Sequence, residues 1–173
     1  MAYDFTSAAR AGYHAQLYPA QPGEDSGDGG VQHVISRGFP ASKVLLGVPC
    51  YGRSFLGSTA AGDAARGNGG DDGTFEYKDL PRWNTEEKTN TTSVSAFCVG
   101  GDGGFTSYDN PETVKIKANY CKEKGLAVSY TSFGLYVVML TILFQGLFYW
   151  TGTADTPGPR SLMSSGYRTL HSA

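Results

Sequence analysis

A chain of 173 residues is long enough for one domain with a sizeable core, and too short for a complete (β/α)8 barrel, which takes roughly 250 residues. Its net charge of -2 gives no electrostatic basis for binding nucleic acid or anionic lipid. Twenty-four glycines with 13% aromatic residues fit either a loop-rich domain with ordinary core rings or a carbohydrate cleft in which rings stack on sugar faces.

In chain order, Met1-Ala2-Tyr3-Asp4-Phe5 reads as a short strand. It runs into a polar loop that holds Tyr13, His14, Gln16 and Tyr18 and reaches about Gly30. Val31, Val34 and Ile35 fall at helical spacing, with Gly38 placed to end that helix. Lys43 to Val48 is an apolar run of strand length, the pattern of a parallel strand buried on both faces. A helix followed closely by such a strand is half of an α/β repeat.

From Leu56 to about Ser107 the chain is too long for a plain loop and is expected to fold as a small insertion. Phe75-Glu76-Tyr77 followed by Lys78 to Pro81 predicts an edge strand and a turn of helix. Gly100 to Gly104 predicts a tight turn between two strands. The spacing then predicts a helix from Pro111 to Lys124. Asp109 or Asn110 can cap it, Pro111 suits its first turn, Glu112 complements the dipole, and Gly125 can terminate it. Its buried face is Val114, Ala118 and Cys121, and Lys122 and Lys124 are expected in solvent.

Three cysteines cannot all pair within the chain. Cys50, in an apolar strand, is expected to be a buried thiol, and Cys98 with Cys121 is the pair that could bridge. Asn90-Thr91-Thr92 is a glycosylation sequon, meaningful in a secreted chain. Asp63, Asp71, Asp72 and Asp102 lack the spacing of a calcium loop, so no metal and no cofactor is expected. The first residues lack the basic region and apolar core of a signal peptide.

Val128 to Trp150 contains no charged residue, and from Phe133 onward it meets the length criterion for a membrane span. Basic flanks are absent, Thr and Gln interrupt it, and it abuts the strand-like Gly146-Leu147-Phe148-Tyr149-Trp150. A membrane anchor therefore ranks last among the readings. Val128-Ser129, Leu140-Thr141 and Phe144-Gln145 can be encoded by donor, branch-point and acceptor sequences of a short intron, so residues 128–145 are read as a translated intron. Such an apolar insert is expected to sit poorly as helix or strand and to expose sticky surface. Sequencing of spliced transcripts tests this.

Four motifs, in order, carry a family resemblance: Met1-Ala2-Tyr3-Asp4-Phe5, Gly47-Val48-Pro49-Cys50-Tyr51-Gly52-Arg53-Ser54-Phe55, Ser107-Tyr108-Asp109-Asn110-Pro111, and Gly146 to Trp150. Together they resemble the last strands of glycoside hydrolase family 18, the fungal and bacterial chitinases. In that family a Lys-Gly-Leu-Gly/Ala turn runs straight into the final strand. Joining Lys124-Gly125-Leu126-Ala127 to Gly146 restores that pattern.

The resemblance implies an α/β chain forming an incomplete (β/α)8 TIM barrel, about strands six to eight, with a small α+β insertion. Residues 1–55 would hold strands six and seven, residues 56–107 the insertion, and residues 108–173 the last helices and strand eight, interrupted at 128–145. It implies that Met1 is an internal pocket residue and that the catalytic strand lies upstream. It also implies hydrolysis of β-1,4-N-acetylglucosamine polymers by substrate-assisted retaining catalysis. Tyr3 would donate to the acetamido carbonyl as the catalytic tyrosine. Met1 and Asp4 would line the same subsite, Arg53 would approach the sugar or pair with Asp4, and Trp150 would form the apolar floor.

The acid motif of the family, D-G-x-D-x-D-x-E, matches nowhere, and Glu86-Glu87 reads as a solvated surface pair. The chain alone is therefore expected to be inactive and marginally folded. A non-catalytic chitin- or carbohydrate-binding protein is the alternative. The expected partner is chitin or chito-oligosaccharide, with no nucleic acid and no membrane, and the parent family is extracellular.

Overall fold

The computed structural model describes residues 1–129 and, as backbone, residues 144–145 and 147–150, with side chains placed up to residue 127. Two helices, two parallel strands and one antiparallel sheet make up most of it.

Helix α1 spans Gly27–Ser36 and is capped by Ser26, whose hydroxyl accepts from the Gly29 amide. Val31 is buried and Ile35 packs against the core, while Val34 is 38% exposed. Gly38 follows at φ 87°, a left-handed conformation that suits glycine. The expected helix is present.

The apolar run becomes strand β1, Leu46–Pro49, buried at all four positions. It pairs in parallel with β9, Leu147–Trp150, in a register that sets Leu46 opposite Leu147 and Pro49 opposite Trp150. The burial on both faces and the parallel pairing agree with the sequence pattern. Gly47 matters here because a Cβ would lie 3.0 Å from Met1 Cα and 3.1 Å from Tyr3 Cε1. Its missing side chain lets the first residues lie against β1.

Those first residues do not form the expected strand. Met1–Phe5 has no ladder partner among the described residues, and Asp4 adopts φ 63°, which breaks the extended run in its middle.

One residue after β1 the chain enters a five-stranded antiparallel sheet, ordered β3-β2-β6-β5-β4. Its strands are β2 (Tyr51–Phe55), β3 (Thr74–Glu76), β4 (Lys88–Asn90), β5 (Ser95–Gly100) and β6 (Gly104–Tyr108). Strand β3 is an edge strand followed by a 3-10 turn at Tyr77–Asp79, and β5 and β6 form a hairpin closed by the 100–104 glycines, both as the sequence predicts.

Helix α2 spans Pro111–Lys124. Asn110 and Thr113 form a reciprocal capping box, and Gly125 ends the helix at φ 61°. Val114, Ala118 and Cys121 are buried as expected, but so is Lys117, in the middle of that face. The main core gathers α1, α2, β1 and the sheet around Leu17, Val48, Cys50, Tyr77, Val114 and Cys121.

All three cysteines are buried thiols outside any disulfide, so the Cys98–Cys121 bridge does not form. Both belong to the apolar core, and burial pushes the Cys121 thiol up to about 12. Glu87 also departs from expectation. It is half-buried and accepts from the Tyr108 hydroxyl at 3.0 Å and the Asn110 amide at 3.2 Å.

Val128–Ser129 (β7) and Phe144–Gln145 (β8) pair antiparallel, with Val128 opposite Gln145. The two ends of the apolar segment thus meet. Residues 130–143, on which the readings of an exposed apolar insert and of a membrane span fall, lie outside the described residues. Among the described residues no helix is long and apolar enough to cross a membrane.

Candidate functional site

Strand β2 alternates its side chains, so Tyr51 and Arg53 project from one face while Gly52 and Ser54 face the other. The second face is covered, since a Cβ on Gly52 would come 2.8 Å from Leu80 Cδ1. The first face meets Asp4. The Tyr51 hydroxyl donates to Asp4 Oδ2 at 2.9 Å, and Arg53 Nε donates to Asp4 Oδ1 at 2.8 Å. The left-handed turn at Asp4 aims its carboxylate at β2.

Two more rings complete the cluster. Tyr3 packs edge-on against Tyr51 at 6.0 Å between centroids, and His14 packs against the same ring at 5.3 Å, tilted by 38°. His14 is fully buried, and its Nδ1 stands 3.5 Å from Asp4 Oδ1. That separation is an electrostatic contact rather than an aligned hydrogen bond. The Tyr3 hydroxyl and both His14 ring nitrogens are buried and have no hydrogen-bond partner among the described residues.

The electrostatics follow from this geometry. Burial works against the Asp4 charge, but the neighbouring His14, Arg53 and Tyr51 outweigh it and hold the carboxyl well below the usual carboxylate range. Burial, and then Asp4, raise the Tyr51 and Tyr3 hydroxyls above their ordinary value. The bond to Asp4 raises Arg53. Burial lowers His14, more than Asp4 can raise it, so its imidazole is neutral at pH 7. The cluster presents one carboxylate, one guanidinium and protonated phenols.

The signs of these shifts predict acid sensitivity. A histidine whose folded-state value is depressed contributes fully above its unfolded value, roughly 6.5, and that contribution is lost as the pH falls below it. Asp4 follows lower, losing its contribution below roughly 3.9. Urea unfolding between about pH 7 and 5 is expected to show declining stability, and H14Q to flatten the decline. Equal slopes in both proteins would contradict the assignment.

Of the residues singled out from sequence, Tyr3, Asp4 and Arg53 come together here. Met1 does not join them. Its side chain is 81% exposed and lines an apolar groove of about 240 Å³ with Phe5, Val31 and Leu46. Trp150 is placed only as backbone, opposite Pro49 at the end of β9, and the apolar-floor role of its ring lies outside the described residues. Tyr51 and His14 are additions. The first could have been found from its period-2 spacing to Arg53, whereas no local signal marks the second.

Behind the cluster lies a buried ion pair. Lys117 Nζ donates to both Asp109 oxygens at 2.7 and 2.6 Å and to the Ala15 carbonyl at 2.6 Å. The Thr113 hydroxyl donates to the same carboxylate at 2.8 Å. No group of three or more metal-ligating side chains is found among the described residues.

The chain is similar to several known proteins. Chitinase 1 of Aphanocladium album is 29% identical over 182 residues, covering 99% of this chain and 39% of that protein. Chitotriosidase-1 of Mus musculus is 35% identical over 144 residues, covering 73% of this chain and 30% of that protein. A class V chitinase of Nicotiana tobaccum, solved as a mutant in complex with NAG4, superposes with a TM-score of 0.79 at 26% identity, covering 99% of this chain and 48% of that one. The chain thus spans less than half the length of each of these proteins. The sequence profile of Glycosyl hydrolases family 18 matches residues 1–129, and the chain belongs to that family.

Proposed function

We propose that this chain is the carboxy-proximal part of a chitinase, holding half of a binding site for β-1,4-N-acetylglucosamine polymers. In this reading β1 and β9 are the last two strands of a (β/α)8 barrel, the 1–5 segment stands at the sixth, and residues 56–107 are the α+β insertion. The observation that carries the proposal is the Asp4 cluster. Asp4 is held by Tyr51 and Arg53 beside a tyrosine whose buried hydroxyl has no partner among the described residues. The complex of the tobacco enzyme with NAG4 supports the same sugar class.

The chemistry is substrate-assisted. The acetamido oxygen of the bound sugar attacks its own anomeric carbon, the glycosidic bond breaks, and a glutamic acid protonates the departing oxygen. Tyr3 donates its phenolic proton as a hydrogen bond to the acetamido carbonyl, steadying the oxazolinium-like intermediate. Asp4 and Arg53 hold sugar hydroxyls and each other. The glutamic acid belongs to the D-G-x-D-x-D-x-E motif, which these 173 residues do not contain. General acid help is worth about 10²–10⁴-fold, so the isolated chain binds without turning over.

Titration with chitotetraose, alongside a reducing-end assay on colloidal chitin, tests both parts. Saturable binding with hydrolysis at background is expected. Hydrolysis above background overturns the proposed inactivity. Absence of binding by folded protein overturns the site.

A further inference from the structure

We propose that His14 is a positioning residue that holds Asp4 in its sugar-facing orientation, at the end of a buried strut running from α2 to the candidate site. This rests on the reading of Asp4 as a sugar-binding residue.

The strut is continuous in named contacts. The Lys117 ammonium, fixed by Asp109, donates to the carbonyl of Ala15. The preceding residue is His14, whose backbone amide donates to Ser107 Oγ at 3.2 Å and whose carbonyl accepts from the Phe5 amide at 3.1 Å. Phe5 follows Asp4 directly, so one hydrogen bond ties the His14 backbone to the segment that carries the carboxylate. Ser107 is itself the cross-strand partner of Arg53. The imidazole thus hangs from the same β2–β6 pair as Arg53 and Tyr51, whose side chains donate to Asp4.

The side chain is built for the purpose. It is a fully buried ring packed against Tyr51, with Nδ1 3.5 Å from Asp4 Oδ1 and neither nitrogen hydrogen-bonded among the described residues. A buried polar ring without partners is costly, because each unmade hydrogen bond leaves its desolvation uncompensated. A filler at this place would be better as Phe or Leu. The ring gains by carrying its proton on Nδ1 and presenting it to the carboxylate. The charged groups around it are Asp4 from the first segment, itself paired with Arg53 of β2, and Asp109 and Lys117 from the β6–α2 side. Tyr51 from β2 is the titratable ring against it. Their charges nearly cancel, which fits a neutral imidazole donor rather than an imidazolium ion.

The test uses the whole chain and nuclear magnetic resonance. In the unmodified protein the ¹⁵N shifts of His14 are expected to report the Nδ1–H tautomer. A neutral ring protonated on Nε2 cannot donate to Asp4 through Nδ1 and overturns the proposal without any mutant. The Asp4 carboxyl is then followed by ¹³C, its signal identified by its loss in D4N. In H14F its titration midpoint is expected to rise by about one pH unit, while H14Q, which keeps an N–H donor, stays near the unmodified protein. Equal midpoints in all three overturn the proposal. Chitotetraose affinity is expected to fall about 10-fold in H14F and to recover in H14Q, a change of about 1.4 kcal/mol. If the unmodified chain binds no chitotetraose while the tautomer and midpoints behave as expected, the sugar-binding reading fails and the positioning role stands.

Discussion

Replacing Lys117 by methionine is expected to cost about 3–5 kcal/mol, the largest effect of any single change proposed for this chain. Lys117 and Asp109 are 2% and 0% exposed, and the ammonium also satisfies the Ala15 carbonyl. K117M removes the cation and leaves the Asp109 carboxylate in the core with, among the described residues, only the Thr113 hydroxyl hydrogen-bonded to it. A domain of this size has about 5–15 kcal/mol of stability in total, so the variant is expected to unfold near the foot of the urea transition. The second variant decides the cause. K117M/D109N removes the buried charge along with its partner and is expected to recover most of the loss. The amide introduced by D109N would still accept from the Thr113 hydroxyl, and the unpaired Ala15 carbonyl would remain as a smaller penalty. A double variant as unstable as the single one would show that the pair acts through packing rather than charge.

Arg53 carries the second large expectation, this time on binding. Its Nε holds Asp4 Oδ1 at 2.8 Å, and the side chain is 32% exposed. The guanidinium therefore both orients the carboxylate and reaches solvent, where the proposed function puts the sugar. Hydrogen bonds to charged groups are worth about 1.5–3 kcal/mol, so R53M is expected to weaken chitotetraose binding by about 10–100-fold. R53K is expected to recover little, because an ammonium cannot reproduce the planar fork that meets Asp4 through Nε. The melting temperature should move little, since a half-exposed pair contributes about 0–1 kcal/mol to folding. Unchanged titration curves for R53M would remove Arg53 from the site.

The two effects belong to one line through the molecule. Lys117 anchors the loop at Ala15, His14 stands one residue earlier against Asp4, and Arg53 meets the same carboxylate from β2. A change at the buried end is expected to disturb folding first, and one at the exposed end to disturb recognition first. The gradient of burial along the line sets that order.

The local elements were legible from residue patterns because their signals are short-range. Asn110, Pro111 and Gly125 mark the ends of α2 within its own turns, and the structure uses each as a cap. The 100–104 glycines mark the β5–β6 turn, and the unbroken apolar run at 44–48 marks a strand buried on both faces. The motifs around Tyr3, Asp4 and Arg53 carried the family, because order and spacing of side chains along one chain are sequence properties.

What the tertiary structure decided was the fate of polar residues. His14 and Glu87 sit in stretches that read as polar loop or solvated surface, Lys117 interrupts an otherwise apolar helix face, and all three are drawn inward by partners elsewhere in the chain. His14 meets Ser107, Lys117 meets Ala15, and Glu87 meets Tyr108. Contacts between segments so far apart in the chain leave no trace in local periodicity. The bend at Asp4 is similar. Asp4 turns out of the extended run at φ 63°, and its carboxylate accepts from Tyr51 and Arg53, residues some fifty positions away in the chain. Motif order determined the family, and short-range patterns determined both helices, the buried strand β1 and the β5–β6 hairpin. Long-range pairing of buried charge decided which side chains stand at the site.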